Sequence, residues 1–296
     1  RGTGEGYGHE RGIAWATHGG RCTASRTFRR IARTTQNIHG KNAMSANNQI
    51  TATKTKPGGM GSSVDGDAKQ TLRLRRVSEV DTESKADSPL GSTIAWVRSF
   101  LARPHPDLGR AGPVCPFTPM ALELDTIWMI EVAESTPDPQ RIEDVIEQCR
   151  QVFVETEPRE GPLSINKVIM VVFSGMSADD APWIDALQAK LKPNFVDVGL
   201  MLGEFHSRNE TPGLRNESFR PLRSPIPMLV IRHMVESDLP FMKRDTDTPE
   251  VRISYLRSYL RRLGASIRRN YFDQAMDALI EAEIELRGGI RSGDAR

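Results

Sequence analysis

The sequence has little cysteine and no long apolar stretch. Its three cysteines, Cys22, Cys115 and Cys149, are far apart and form no CxxC pair. This spacing excludes a disulfide framework and argues against a structural zinc site. No run approaches eighteen consecutive apolar residues, so no transmembrane helix is expected. Because a secretory apolar segment is also missing, we expect a cytoplasmic protein that does not enter a membrane.

The short motifs that carry well-known chemistries are missing as well. The chain has no GxGxxG that opens a helix after a strand, no GxxxxGK[ST], no HExxH and no GxSxG. Nothing therefore indicates a dinucleotide site, a phosphate-binding loop, a zinc protease or a serine hydrolase of the usual kinds. Functional residues are therefore expected in less regular segments of the chain.

The charge is nearly balanced overall but unevenly distributed along the chain. The whole sequence holds 40 basic and 38 acidic side chains, and residues 1–60 contain ten of the basic ones and two of the acidic ones. The rest of the protein is therefore mildly acidic. A basic groove that binds nucleic acid is not expected there.

The N-terminal segment is rich in Gly, Ser, Thr, Asn and Arg and has no periodic apolar face. Such a composition predicts a disordered leader over residues 1–88, followed by a single globular domain over residues 89–290. Three other readings stay open. The start could be wrongly placed, with Met44 or Met60 as the initiator, or the segment could be a transit peptide or a nucleic-acid-binding tail.

The body alternates between helical and strand-like patterns. Helical spacing of apolar residues begins at Ser92, and short apolar runs predict buried strands. We predict strands at 125–133, 168–173, 195–201 and 228–231, and helices at 92–101, 136–153, 177–191 and from 249 onward. This order predicts an α+β (or α/β) layered domain with a sheet of about four or five strands and a helical C-terminus.

Two irregular segments are candidates for chemistry. The first, Arg110–Phe117, places Cys115 in a loop stiffened by two prolines. A rigid loop can hold a thiol in place for catalysis or iron ligation, although Cys115 can equally be a small buried hydrophobe. The second segment, 203–242, contains His206 and His233 near predicted strands. Each imidazole can serve as a general base or a metal ligand, or simply hydrogen-bond across a loop.

Arginines accompany both segments. Arg110 opens the cysteine loop, and Arg223 and Arg232 flank the strand that precedes His233. A planar guanidinium matches a carboxylate or a heme propionate, but each arginine alone is more often part of a surface ion pair.

The two segments resemble those of a bacterial domain family of unknown function. That family combines an Arg-x-Gly-x-Val-Cys-Pro-Phe loop with an Arg-His-Met segment and a downstream aspartate. Here the loop is Arg110–Phe117, and Arg232-His233-Met234 precedes Asp238. The resemblance covers roughly residues 92–262 and implies no established activity.

The order of parts is also similar to that of the YqcI/YcgG-type proteins, some of which are heme-dependent oxygenases that hydroxylate nitrogen. This resemblance implies heme as cofactor and a small-molecule substrate in secondary metabolism. It implies His233 as the axial ligand with Cys115 next, His206 as a proton donor, and Arg110, Arg223 and Arg232 as partners of propionates or of a substrate carboxylate. The chain departs from that pattern in having Cys-Pro-Phe instead of Pro-Cys-x-Phe.

Two further functions are compatible with the residues. The protein could be a cofactor-free thiol enzyme, with Cys115 as nucleophile and His206 or His233 as base. It could also be a non-catalytic module that binds a small molecule or a protein. In the enzyme hypotheses, Cys115 and His233 are expected to line a single pocket.

Overall fold

The computed structural model describes residues 49–51, 71–136 and 138–293, all of which belong to one compact unit. The helices and strands in chain order are β1 (Gln49–Thr51), β2 (Thr71–Arg73), β3 (Arg75–Arg76), α1 (Val77–Glu83), α2 (Pro89–Trp96), α3 (Thr118–Glu123), β4 (Ile127–Val132), α4 (Pro139–Glu155), β5 (Val168–Phe173), α5 (Ala181–Asp197), β6 (Leu200–Phe205), β7 (Met228–His233), α6 (Leu239–Met242), α7 (Pro249–Leu263) and α8 (Arg269–Gly293). A π-helical turn at Val97–Leu101 extends α2.

A mixed five-stranded sheet forms the centre of the fold, in the order β3-β4-β5-β7-β6. Only β4 and β5 pair in parallel, and α4 lies between them in the chain as a crossover connection. The other neighbours are antiparallel. β1 and β2 form a separate two-stranded ribbon.

The first face of the sheet packs against α4 and α5. Apolar side chains at alternate strand positions, such as Ile130, Val171 and Ile231, contact buried residues at helical spacing on the two helices. On α4 these are Ile142, Val145, Ile146, Cys149 and Phe153. We call this side of the sheet the α4/α5 face.

The second face is covered by α1, α2 and the cysteine loop. Its strand residues, including Met170, Val172 and Val230, pack on Leu90 and Ile94 from α2 and on neighbouring apolar groups. We call this side the α2 face. A third apolar cluster joins α6, α7 and α8 to Met201 at the start of β6 and to Val196.

The predicted fold class is confirmed: the domain combines helices with a five-stranded sheet, and its C-terminus is helical. The strand predicted at 195–201 is wrong in its first half, because α5 continues to Asp197. Leu187, Leu191 and Phe195 recur every four residues and bury one helical face, which favours helix over strand. β6 starts only at Leu200.

The predicted domain boundary at residue 89 is too late. Leu74, Val77 and Val80 are buried at 1%, 5% and 0% exposure, and β3 pairs with β4. Residues 71–88 therefore belong to the fold. Most of the predicted leader lies outside the described residues. Among the helices that the structure describes, none is both long and apolar enough to cross a membrane.

Candidate functional site

The cysteine loop is anchored to the end of the α2 extension. The Cys115 amide donates to Leu101 O at 2.9 Å, and the Val114 amide donates to Arg103 O at 2.9 Å. Gly112 has φ 91°, a conformation that favours glycine. Arg110 donates to Ala111 O and Val114 O, both at 3.0 Å, so its guanidinium closes the loop on itself.

Cys115 and Arg232 lie on the same side of the sheet. Cys115 is partly buried against the α2-face cluster. Along β7, Met228 and Val230 point to that cluster. Arg232 is two residues beyond Val230 and therefore points to the same side of the sheet. Among the groups that raise the pKa of Arg232, Asp238 comes first and Cys115 last, in keeping with the position of both side chains on this side of the sheet.

Arg232 is held rigidly by a bidentate ion pair. Its Nη1 and Nη2 donate to Asp238 Oδ2 and Oδ1 at 2.8 and 2.6 Å, and Nη1 also donates to His233 O at 3.0 Å. Asp238 Oδ2 in turn accepts from the Val235 amide. Burial acts to lower the pKa of Arg232, but Asp238 outweighs it and the pKa is raised. The arginine is therefore permanently charged and fixed in orientation.

This guanidinium keeps one edge available. The three hydrogen bonds use both N–H groups of Nη1 and one of Nη2, and no hydrogen bond within the described part of the chain engages Nε–H or the second Nη2–H. The Arg232 side chain is 27% exposed, whereas that of Asp238 is 3% exposed. The open edge carries two parallel N–H groups, which is the geometry that a carboxylate or phosphate matches.

Met201, which lies directly opposite Arg232, is buried, but two residues further along β6 the surface is uncrowded because residue 203 is a glycine. Gly203 pairs with Val230, and this pair lies two residues along the strands from the Met201–Arg232 pair, on the same face of the sheet. A Cβ at Gly203 would meet only Phe205 Cε2 within 4 Å, at 3.5 Å. An aromatic wall follows, since the Phe205 and Trp96 rings lie 5.9 Å apart and Trp96 stacks on Phe100 at 5.7 Å. We call this region, from Arg232 over Gly203 to Phe205 and Trp96, the Arg232 recess.

His233 points away from this recess. Its ring lies 4.9 Å from that of Phe153, a core residue of α4, so it occupies the α4/α5 face. Nε2 is enclosed and has no hydrogen-bond partner. Burial, followed by the positive charges of Lys167 and Arg262, lowers the pKa of His233 to about 4. The expectation that Cys115 and His233 line a single pocket is wrong, because neighbours in a strand point to opposite faces.

The other predicted residues are engaged elsewhere. His206 is 1% exposed, and its Nε2 lies 2.8 Å from Oδ1 of Asp185 on α5. Arg223 forms an ion pair with Glu210 and donates to Asn209 O at 3.1 Å. Neither histidine is placed to act as base for Cys115. A catalytic role for Cys115, His206 or His233 stays a prediction.

These positions do not fit heme. Iron at His233 would need access to Nε2, which is enclosed, and would meet the charges of Lys167 and Arg262. Cys115 lies across the sheet, and each predicted propionate partner is already engaged, Arg110 with Val114 O of its own loop, Arg223 with Glu210 and Arg232 with Asp238. Nowhere in the described residues do three or more His, Cys, Asp or Glu side chains form a group that could hold a metal ion.

Two residues of the recess, Trp96 and Gly203, were not predicted from the sequence as part of a site. Trp96 was assigned only to a helix, and Gly203 only to an irregular stretch. The alternation of β6 could have found Gly203, because a glycine between Met201 and Phe205 leaves a gap on one face of a strand.

Comparisons with known proteins identify the family but no activity. Neither the comparison with curated proteins nor the comparison with solved structures finds a match. The predicted membership in an uncharacterised family is confirmed by one family model, which matches residues 90–274 and therefore includes the cysteine loop, the Arg232 recess and Asp238. The chain belongs to the family described as domain of unknown function DUF6875.

Proposed function

We propose that this domain binds a small organic carboxylate in the Arg232 recess. The observation that carries the proposal is the open Nε/Nη2 edge of a guanidinium that Asp238 and His233 O already hold in place. A fixed arginine binds an anion with less loss of side-chain entropy than a free one. The proposed function is therefore recognition of an anionic group by an Arg232 guanidinium that is already held in its binding orientation.

The shape of the recess indicates the rest of the ligand. Arg232 and Phe205 are separated by four residues of paired strand, which corresponds to about 13 Å. Between them the sheet offers the backbone of Gly203 and the side chain of Val230. A carboxylate with an apolar or aromatic body would place its charge on Arg232 and its body against Phe205 and Trp96.

Cys115 adds a thiol to the same side. Its partial exposure and its electrostatic interaction with Arg232 support a place at the border of the recess. Cys115 therefore provides a chemical reporter of whether the recess is occupied, and it is the residue through which a thiol enzyme would act.

Titration calorimetry with phenylacetate and its neutral amide tests the proposal. Phenylacetate should bind and slow the alkylation of Cys115 by iodoacetamide, whereas phenylacetamide should do neither. Arg232→Met should weaken phenylacetate binding at least tenfold, because the charged fork is lost. Gly203→Leu should have a similar effect by filling the floor without changing any charge.

Arg223→Met is the matched control, since Arg223 is an exposed arginine paired with Glu210. It should leave phenylacetate binding unchanged. Equal binding of the acid and the amide, or full binding by a folded Gly203→Leu protein, would contradict the proposal.

A further inference from the structure

The last helix, α8, carries a row of apolar side chains that the described part of the domain leaves largely uncovered. The row recurs at every fourth residue, which is the spacing of neighbours along one helix face, and it consists of Phe272, Met276, Ile280 and Ile284. Exposure is 36% at Phe272, 52% at Ile280 and 64% at Ile284, and Met276 is half-buried. Single exposed apolar residues are common on protein surfaces, whereas a row of them is typical of an interaction surface. We call these four residues the apolar row.

The apolar row is not the side on which α8 packs against the domain. The helix buries Ala275, Ala278 and Ala282, and the first two belong to the cluster that includes Leu256 and Tyr259 of α7. Residues 280 and 284 are each two positions from Ala282, which places them about 200° around the helix axis from it. The most exposed half of the row therefore points away from α7.

A second row, entirely acidic, runs beside the apolar one. Each residue of the apolar row is followed directly by an acidic residue, and these are Asp273, Asp277, Glu281 and Glu285. Because both rows have the same four-residue spacing, they lie parallel and adjacent along the helix surface. We call this second set the acidic row. The apolar row is thus bordered by negative charge along its whole length.

The middle of the acidic row has no cationic partner within the residues that the structure describes. At its ends, Asp273 accepts from Arg269 Nε at 2.8 Å, and Glu285 pairs with Arg252. Asp277 and Glu281 are exposed, and their side chains form neither an ion pair nor a hydrogen bond with the described part of the chain. These two carboxylates are available to cationic groups on a partner.

We propose that the outer side of α8 is a docking surface for a cationic amphipathic helix of another protein. The partner would pack its own apolar residues on the apolar row and present Lys or Arg side chains to Asp277 and Glu281. Rows at four-residue spacing favour a helix that crosses α8 at about −50°. This surface shares no residue with the Arg232 recess and does not rest on the carboxylate function proposed there.

The charges on α8 favour such a partner over a second copy of this chain or a membrane. On its other side, the apolar row is bordered by a mixed set of residues, Ala275, Leu279, Glu283 and Arg287. Arg287 already lies 4.0 Å from Glu283. A second α8 therefore offers no basic row to match Asp277 and Glu281. Anionic lipid headgroups would be repelled by the acidic row.

The family match ends at residue 274, so most of this surface lies outside it. Only Phe272 and Asp273 of the two rows fall within the matched region. The docking surface is therefore carried mainly by the part of α8 that follows the family region.

Fluorescence anisotropy on the full chain with two labelled synthetic helices tests the docking surface. The first peptide has leucine at every fourth position and lysine directly after each leucine, which matches the two rows when the helices run antiparallel. The second peptide has glutamate in place of each lysine. The lysine peptide should bind, and the glutamate peptide should bind at least tenfold more weakly.

Two double variants test the two rows separately. Ile280→Ser with Ile284→Ser should weaken binding of the lysine peptide at least tenfold, because the most exposed apolar contacts are lost. Asp277→Lys with Glu281→Lys should reverse the preference, so that the glutamate peptide binds more tightly than the lysine peptide. All four side chains are exposed, so both proteins are expected to fold.

Exposed residues elsewhere provide matched controls. Leu214 is 62% exposed, and Asp245 is exposed between α6 and α7. Leu214→Ser and Asp245→Asn should leave binding of the lysine peptide unchanged.

Four outcomes would overturn the proposal. The lysine peptide does not bind; the unmodified protein binds both peptides equally; the Asp277→Lys, Glu281→Lys protein still prefers the lysine peptide; or sedimentation shows a dimer that Ile280→Ser with Ile284→Ser dissociates, in which case a second copy covers the apolar row.

Discussion

At the scale of single residues, His233 lies in unusual surroundings for a titratable group. Its imidazole packs on Phe153, its Nε2 is enclosed, and the charges of Lys167 and Arg262 act on it. All three features disfavour the imidazolium form. The folded protein therefore keeps His233 neutral at pH values where the unfolded chain would protonate it.

We expect this difference to appear as a pH dependence of stability. The pKa of His233 is lowered from 6.5 to about 4 by folding, so the unfolded state binds more protons between these values. Stability is then lost as the pH falls from 6.5 toward 4, by at most roughly 1.4 kcal/mol per pH unit. In His233→Gln, the loss of unfolding free energy between pH 7.5 and 4.5 should shrink by about 2 kcal/mol.

Urea denaturation at the two pH values measures this effect. The control is His105→Gln, because His105 is more exposed, with 32% of its side chain accessible. The explanation fails if the His233→Gln protein loses as much stability at pH 4.5 as the unmodified chain does.

The same residues show what a sequence can reveal about a site. The Cys115 loop, Arg232 and Asp238 were recognisable from residue type and spacing, and they do lie on one side of the sheet. The side of the sheet on which His233 lies could not be predicted, because it depends on whether β7 extends as far as His233. Once the strand extends from Met228 to His233, alternation sends Arg232 and His233 to opposite sides.

At the scale of elements, α4 and β5 are joined by a buried lysine. Lys167 is 0% exposed, and its Nζ donates to Phe153 O at 2.6 Å and to Thr156 O at 2.7 Å. These carbonyls belong to the end of α4, where the helix has no amides of its own to offer. Lys167 thus acts as the C-terminal cap of α4 and also leads directly into β5.

Lys167→Met should therefore destabilise the end of α4. Two carbonyls would lose a charged donor, and we expect a loss of about 2 kcal/mol in unfolding free energy. Amide hydrogen exchange should accelerate in the last turn of α4 more than in α5. Lys190→Met, which removes an exposed lysine, should change stability by less than about 0.5 kcal/mol, and equal effects of the two substitutions would rule out the capping role.

Elements were predictable where local pattern and tertiary packing agree. The strand at 168–173 matches β5 because a short apolar run between turn signals has few alternatives. The end of α5 was missed because Pro193 suggests a helix end, whereas the helix continues through it. Burial of Phe195 against the sheet outweighs the local cost of the proline.

At the scale of the whole molecule, the fold includes residues upstream of the family match. β3 forms the edge of the sheet beside β4, and α1 buries Val77 and Val80. The region before residue 89 has no long periodic apolar face, which is why its contribution was not visible in the sequence. Leu74, Val77 and Val80 anchor this region in the core, and Ser78 and Asp81 add polar contacts to Asp125 and Arg98.

A chain that starts at residue 89 should accordingly be less stable than one that starts at residue 71. Loss of Leu74, Val77 and Val80 removes three buried side chains, each contributing about 1.5–3 kcal/mol. We expect a lower Tm and an exposed edge on β4 in the shorter chain. Thermal unfolding of the two chains measures the difference, and identical Tm values would show that residues 71–88 contribute nothing.

The strand order also has a consequence for synthesis on the ribosome. β7 lies between β5 and β6 in the sheet but follows both in the chain. Until residues 228–233 have emerged, β6 has no partner and β5 exposes an unpaired edge. While the intervening loop is being translated, β5 and β6 therefore lack the strand that lies between them. The sheet is completed only when β7 emerges and pairs with both.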